Sequence, residues 1–182
     1  MINRKIVLYI ALSLDGFIAR TDGSVDWLLG ESQDPDVDTG YPDFLATVDT
    51  ILMGWTTYYQ LITELSPDQW VYEGKQCYVA STRPHEKQEH VEIISGDIPQ
   101  FTHHLLERPG KDIWLVGGSE LVAPFIEEDL IDEYILTFIP TLLGSGIPLF
   151  KGSTRPINLH LKDTRSFDGM VQLVYSRQTS NS

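Results

Sequence analysis

The order of apolar and polar positions predicts most of the elements. Residues 5–13, KIVLYIALS, are an almost unbroken apolar run rich in β-branched and aromatic side chains, the pattern of a central strand. Asp15-Gly16 ends it, and a glycine-punctuated loop runs through Asp22-Gly23-Ser24 to Trp27. Residues 30–42 are acidic and irregular and read as a solvated loop. A short helix is predicted over 42–48, then a buried strand over 50–54, TILMG, that ends in glycine. Thr56 or Thr57 starts a helix carrying Tyr58, Tyr59, Leu61, Ile62 and Leu65. Strands follow at 76–81 and 91–95, separated by the loop Thr82-Arg83-Pro84, and a helix is predicted near 99–107. Ile113 to Val116 reads as another buried strand, broken by Gly117-Gly118. Ser119 is then the expected N-cap of a helix over 119–128 with an apolar face of Leu121, Val122, Phe125 and Ile126. From there the pattern holds strands only, at 132–140, 156–165 and 170–177, with turns at Gly144-Ser145-Gly146 and Asp168-Gly169.

Strands that alternate with helices and give way to a run of strands predict an α/β fold. Its sheet is mixed: mainly parallel, with antiparallel strands at the C-terminal end. The 182 residues show no composition break, repeat or low-complexity tract, so one domain over 1–182 is expected, with residues 179–182 fraying. A formal charge of −13 with 13 scattered Lys and Arg argues against a nucleic-acid or anionic-membrane partner. Cys77 is the only cysteine, which excludes an intrachain disulfide and points to a reducing compartment. The apolar N-terminal stretch is too short for a membrane span and is interrupted at Asp15, so a cytoplasmic protein is expected.

Two stretches carry candidate chemistry. A strand that breaks at glycine and enters a helix presents bare backbone N–H groups and a positive dipole end, which suits phosphate. That junction occurs twice, at Gly54 and at Gly117-Gly118, although it also occurs merely to allow tight packing. The histidines suggest no metal: His103 and His104 would point about 100° apart on a helix. His85, His90 and His160 have no ligand spacing with Cys77 or with a carboxylate cluster. Trp27, Trp70 and Trp114 read as core or pocket wall.

Four segments, ALSLDGFIA (11–19), ILMGWTTY (51–58), VASTRP (79–84) and IWLVGGSELVAPFI (113–126), resemble in order the dihydrofolate reductase superfamily. That superfamily includes the C-terminal reductase domain of the riboflavin-biosynthesis deaminase-reductase. LIDEYILTFIPTLLGSGIPLF (130–150) is similar to this riboflavin branch and its single-domain relatives. The resemblance implies NADPH as cofactor. Ala11 and Ile18 would line its site, and Gly54, Thr56 and Thr57 match the turn that takes the pyrophosphate. Gly117 and Gly118 match a glycine pair with an expected cis peptide, and Ser119, Glu120 and Leu121 open the helix under the phosphates. Ser81, Thr82 and Arg83 match the loop that holds the adenosine 2′-phosphate, where a charge-assisted bond from Arg selects NADPH over NADH. Trp55 departs from the pattern. Relatives usually have Arg there, whereas an indole could only stack on adenine, so Arg83 is left to supply most of the discrimination.

At the reacting end the resemblance implies a carboxylate near the first helix and a supporting strand threonine. Thr137 matches the threonine. Between Trp27, which resembles the family's loop tryptophan, and Phe44 lie sixteen residues, where Glu31, Asp34, Asp36, Asp38 and Asp43 compete. Asp38 is the first choice, being nearest the helix start without lying inside it. Such an acid needs burial to raise its pKa. The riboflavin pattern departs elsewhere. Ile10 stands where its Lys is expected, DFLATV has no Arg, Tyr58-Tyr59 replaces Asp-Asp-Pro, and Val116 replaces a Glu. The expectation is therefore an NADPH-dependent reductase of a small planar heterocycle, pterin or pyrimidine in type. The riboflavin-pathway reductase, a true dihydrofolate reductase and a cofactor-binding protein without catalysis are the alternatives. A homodimer through the apolar antiparallel edge is the expected assembly.

Overall fold

In the computed structural model, residues 4–32, 36–152 and 155–178 are described; Asp34 and the tail 179–182 lie outside them. The strands are β1 (Ile6–Ser13), β2 (Phe17–Ala19), β3 (Val48–Gly54), β4 (Gln76–Ala80), β5 (Glu92–Ile94), β6 (Asp112–Gly117), β7 (Glu133–Ile139), β8 (Ile147–Pro148), β9 (Leu159–Phe167) and β10 (Met170–Arg177). The α-helices are α1 (Tyr41–Thr47), α2 (Trp55–Gln60), α3 (Ile98–Leu106) and α4 (Ser119–Glu127), and α2 runs on into a π-helical turn, Leu61–Leu65. Eight strands form one sheet in the order β5-β4-β3-β6-β1-β7-β10-β9. The first six in that order are parallel, and β10 and β9 close the sheet antiparallel. This is the expected mixed α/β sheet.

The period-2 alternation of the central strands divides the core between the two faces. Ile6, Leu8, Leu52, Ile113 and Leu115 pack with Leu105 of α3 and with Leu121, Val122 and Phe125 of α4. Val7, Ile51, Met53, Val79 and Trp114 point the other way, onto Phe44 of α1 and Tyr58 of α2. Each face buries a stripe of one helix pair, so the hydrophobic effect fixes both layers.

Several boundaries differ from the sequence expectation. The helix expected from Thr56 or Thr57 begins at Trp55, with Gly54 in the N-cap position. Gly118, in extended conformation, rather than Ser119 is the N-cap position of α4, and Ser119 is buried in the first turn. The strand expected over 156–165 is shifted to Leu159–Phe167, where it pairs with β10 up to the Phe167–Met170 turn, with a register shift between Val174 and Tyr175. The stretch after Asp15 is not all loop: Phe17–Ala19 pairs with Ile147–Pro148 in a small second sheet. Asp15 anchors this return, accepting hydrogen bonds from Ser13 Oγ, Leu143 N–H and Gly144 N–H, which hold its carboxyl below the usual range. At Gly146 a Cβ would stand 2.4 Å from Ala19 O, so only glycine lets the two segments touch.

Arg4 ties the sheet to its surroundings. Its side chain, 5% exposed, donates to Asp49 Oδ1 and Thr50 Oγ1, both at 2.6 Å, and to the Leu105 and Lys111 carbonyls. It therefore locks the starts of β1 and β3 to the end of α3. Among the described residues no helix is long and apolar enough to cross a membrane, and no cluster of His, Cys, Asp and Glu could hold a metal.

Candidate functional site

The sheet order places a crevice between β3 and β6. The connection after β3 leads through α2 to β4 on one side, whereas the connection after β6 leads through α4 past β1 to β7 on the other. Strands whose connections diverge leave an opening at their carboxyl ends, where ligands bind in open α/β sheets. Both glycine junctions sit there. Met53 is paired with Gly117, and a Cβ on Gly54 would lie 3.6 Å from Gly117 O and 3.7 Å from Gly118 N. The Gly117–Gly118 peptide is cis, and Gly117 has a φ of 121°, which a side chain would resist.

From this point opens a cleft of about 1440 Å³, larger than most drug-sized pockets. Of the fourteen residues implied for the cofactor, all but Gly117 line it: Ala11, Ile18, Gly54, Trp55, Thr56, Thr57, Ser81, Thr82, Arg83, Gly118, Ser119, Glu120 and Leu121. Gly117 lies at the junction beneath. No side chain caps the first turn of α4, which leaves its N-terminal end open to the cleft. Glu120 in that turn would repel an anion, but its carboxylate is paired with Lys151 Nζ, so a cation stands beside the helix end. Lys151 was missed by sequence reasoning because it comes from a distant segment with no motif around it.

At the other end Ser81 leaves β4, with its N–H on Ile94 O and its Oγ accepting from Arg83 N–H at 3.1 Å. His85, dismissed above as a metal ligand, turns out to be a cleft residue. Its ring lies 3.3 Å from that of Trp55, centroid to centroid and 10° from parallel, and its Nε2 is 2.8 Å from Ser81 Oγ. It therefore covers one face of the indole. The only sequence signal was its place two residues after Arg83. Trp27 and Trp114 are buried, Trp114 in the core, and Trp70 is partly covered against Tyr72 and His90.

The reacting-end candidates are arranged differently. Ala11, Thr137, Gln172 and Arg165 stand abreast across β1, β7, β10 and β9. Thr137 is 7% exposed and lies one strand beyond the cleft edge at Ala11. Its Oγ1 accepts from Gln172 Nε2 at 3.0 Å, and Gln172 also reaches the Tyr9 hydroxyl. Burial pushes the Tyr9 phenol up, opposed by Gln172 and Arg165. Asp38 is not brought to the cleft. Its carboxylate is 82% exposed, accepts from Gly40 N–H and pairs with Arg165 at 3.3 Å. It lacks the burial that an acid in that role needs. Among the competing carboxylates, Glu31 and Asp43 are also exposed.

The Bacillus subtilis (strain 168) protein YwjB, itself uncharacterized, is 47% identical over 178 residues, covering 96% of this chain and 99% of its own. A candidate riboflavin biosynthesis protein from Shewanella sp. PV-4 superposes with a TM-score of 0.85 at 29% identity, over 96% of this chain and 99% of that one. The fold is also that of a dihydrofolate reductase from Enterococcus faecalis solved with NADP(H), with a TM-score of 0.69 at 14% identity over 96% and 97% of the two chains. Residues 63–173, more than half the sequence, match the RibD C-terminal domain, and the chain belongs to that family.

Proposed function

We propose that this chain is an NADPH-dependent reductase that transfers hydride to a C=N or C=O bond of a small planar heterocycle of pterin or pyrimidine type. The observation that carries the reading is the meeting of two glycine junctions at the switch point of the sheet, in one cleft with Ser81, Thr82 and Arg83. The residues present fit the cofactor. Gly54, Thr56, Thr57, Ser119, Glu120 and Leu121 would hold its pyrophosphate, with Lys151 supplying charge and Trp55 lining the cleft beside them. Ser81, Thr82 and Arg83 would take the 2′-phosphate, and Ala11, Ile18, Gly117 and Gly118 would flank the nicotinamide. When bound, the cofactor supplies the hydride. Thr137, Gln172 and Tyr9, joined through Gln172 one strand beyond the cleft edge at Ala11, would meet the polar edge of a substrate that reaches past it, and the exposed Asp38 has no support as the acid.

Family membership favours the riboflavin-pathway reductase of 5-amino-6-(5-phosphoribosylamino)uracil as a second reading. That substrate carries a phosphate, and the cations that line the cleft, Arg83 and Lys151, are those proposed for the cofactor. We also propose a homodimer through the edge strand β9, supported by the exposed Leu161 and Val171. Sedimentation at micromolar concentration would show two chains. The function is tested by following NADPH oxidation with pterins, pyrimidines and the phosphoribosylamino-uracil. Oxidation by an unphosphorylated heterocycle supports the first reading, and oxidation by the phosphorylated one alone supports the second. Tight NADPH binding with no oxidation by any of them would leave a cofactor-binding protein without catalysis.

A further inference from the structure

We propose that His85, through Ser81, is a cofactor-selecting residue: in its protonated form it makes the Ser81 end of the cleft a site for a phosphate monoester dianion. This deepens the NADPH reading and rests on it. The argument begins with the Ser81 hydroxyl, which has one proton to give and two lone pairs. One lone pair already takes Arg83 N–H. His85 Nε2 lies 2.8 Å away, so the remaining partnership depends on which atom holds the proton. With Nε2 bare, Ser81 O–H must donate to it, and the hydroxyl is spent inside the loop. With a proton on Nε2, as in the other neutral tautomer and always in the imidazolium, the ring donates to Ser81, and the Ser81 proton is free for an acceptor in the cleft. Only the imidazolium also adds a positive charge at that wall, so in that form an anion gains a donor and a cation together.

The surroundings hold the ring for this task. Trp55 stacks on it at 3.3 Å and 10°, a contact that an aromatic face strengthens with a cation. Tyr58 and Tyr59 flank Trp55 on α2. Of the charged groups, Arg83 lines the same cleft, and exposed Glu86 and Lys87 follow His85 in the chain. Asp97 lines the cleft at the head of α3, where its carboxylate already accepts from Gln100 N–H. Only the protonated ring supplies both a fixed Nε2 donor and the charge. The cofactor preference should therefore vary with pH.

The test compares NADPH and NADH binding to the wild-type chain and to His85→Gln at about pH 5.5, 7 and 8.5. A phosphate monoester itself titrates near pH 6 and affects both proteins alike, so the difference between them isolates the histidine. In the wild type the NADPH-to-NADH preference should fall by roughly tenfold as the pH rises, the contribution of one charge-assisted hydrogen bond. His85→Gln should lose most of its advantage at the acid end, converge with the wild type at the alkaline end and bind NADH unchanged. An unaltered thermal midpoint shows that the variant is folded, and His85→Arg should restore NADPH preference without the pH dependence. A His85→Gln profile identical to the wild type would overturn the inference while leaving the cofactor reading intact. Failure of both dinucleotides to bind the wild type at every pH would overturn both.

Discussion

Gly54→Ala separates a glycine kept for folding from one kept for a ligand. Gly54 ends β3 at φ −77° and ψ 157°, a conformation open to any residue, and the nearest atoms to a new Cβ would be 3.6 and 3.7 Å away. That is ordinary contact, so nothing in the protein resists the methyl group. Replacing glycine by alanine where the backbone permits it restricts the unfolded chain and stabilises by about 0.4–1 kcal/mol. For a chain of this size that raises Tm by roughly 1–4 °C. The methyl group would project where the cofactor's pyrophosphate is proposed to meet bare backbone. Overpacking there costs about 1–3 kcal/mol, or roughly 5- to 150-fold in Kd. Differential scanning fluorimetry and calorimetric titration with NADPH read the two effects on one sample. A variant with an equal or higher Tm and weakened binding is expected. Unchanged NADPH affinity would refute the approach of ligand to this junction, and a lower Tm would refute the space argument.

Other perturbations have definite outcomes. Arg4→Met removes the group that joins β1, β3 and α3 and strands its buried partners, so it should cost about 2–4 kcal/mol, visible as a lower urea midpoint. An unchanged midpoint would show the cluster to be energetically idle. Lys151→Met should weaken NADPH and NADH alike, by roughly tenfold, because the charge it removes faces a group common to both; a selective loss of NADPH would relocate it to the 2′-phosphate. Burial pushes the Cys77 thiol up to about 12 from 9.0 and the Tyr134 phenol up to about 12 from 10.0. Raised values mean that the folded state keeps protons the unfolded chain gives up. The associated stability is thus intact below about pH 9 and declines as the pH rises toward 12. Urea midpoints should fall steadily above about pH 9, and Cys77 should resist thiol reagents until the chain unfolds; a flat profile, or prompt labelling of the native chain, would contradict this.

The parts of the fold that the sequence revealed are those set by periodicity. Val7 against Leu8, and Trp114 against Leu115, declare opposite faces by alternation alone, and strand breaks at Gly54 and Gly117 announce the crevice because few other residues leave backbone bare. What stayed hidden depends on contacts between distant segments. Phe17–Ala19 looked like loop because its partner, Ile147–Pro148, lies far along the chain. His85 and Lys151 reach the cleft by loop geometry that no spacing encodes. Asp38 was chosen by its proximity to a helix in sequence, whereas Arg165, abreast of Gln172 on a remote strand, holds it at the surface. The residues proposed for the cofactor cluster at strand ends and were therefore legible; a proton donor on the insertion was not.

The most direct test of the central claim is parallel titration of the wild-type chain and Arg83→Ala with NADPH and NADH. The account predicts micromolar or tighter NADPH binding, weaker NADH binding, and a loss of roughly tenfold or more for NADPH alone in the variant. Binding of neither dinucleotide by the wild type would contradict the claim and leave a reductase-like fold without the reductase's cofactor.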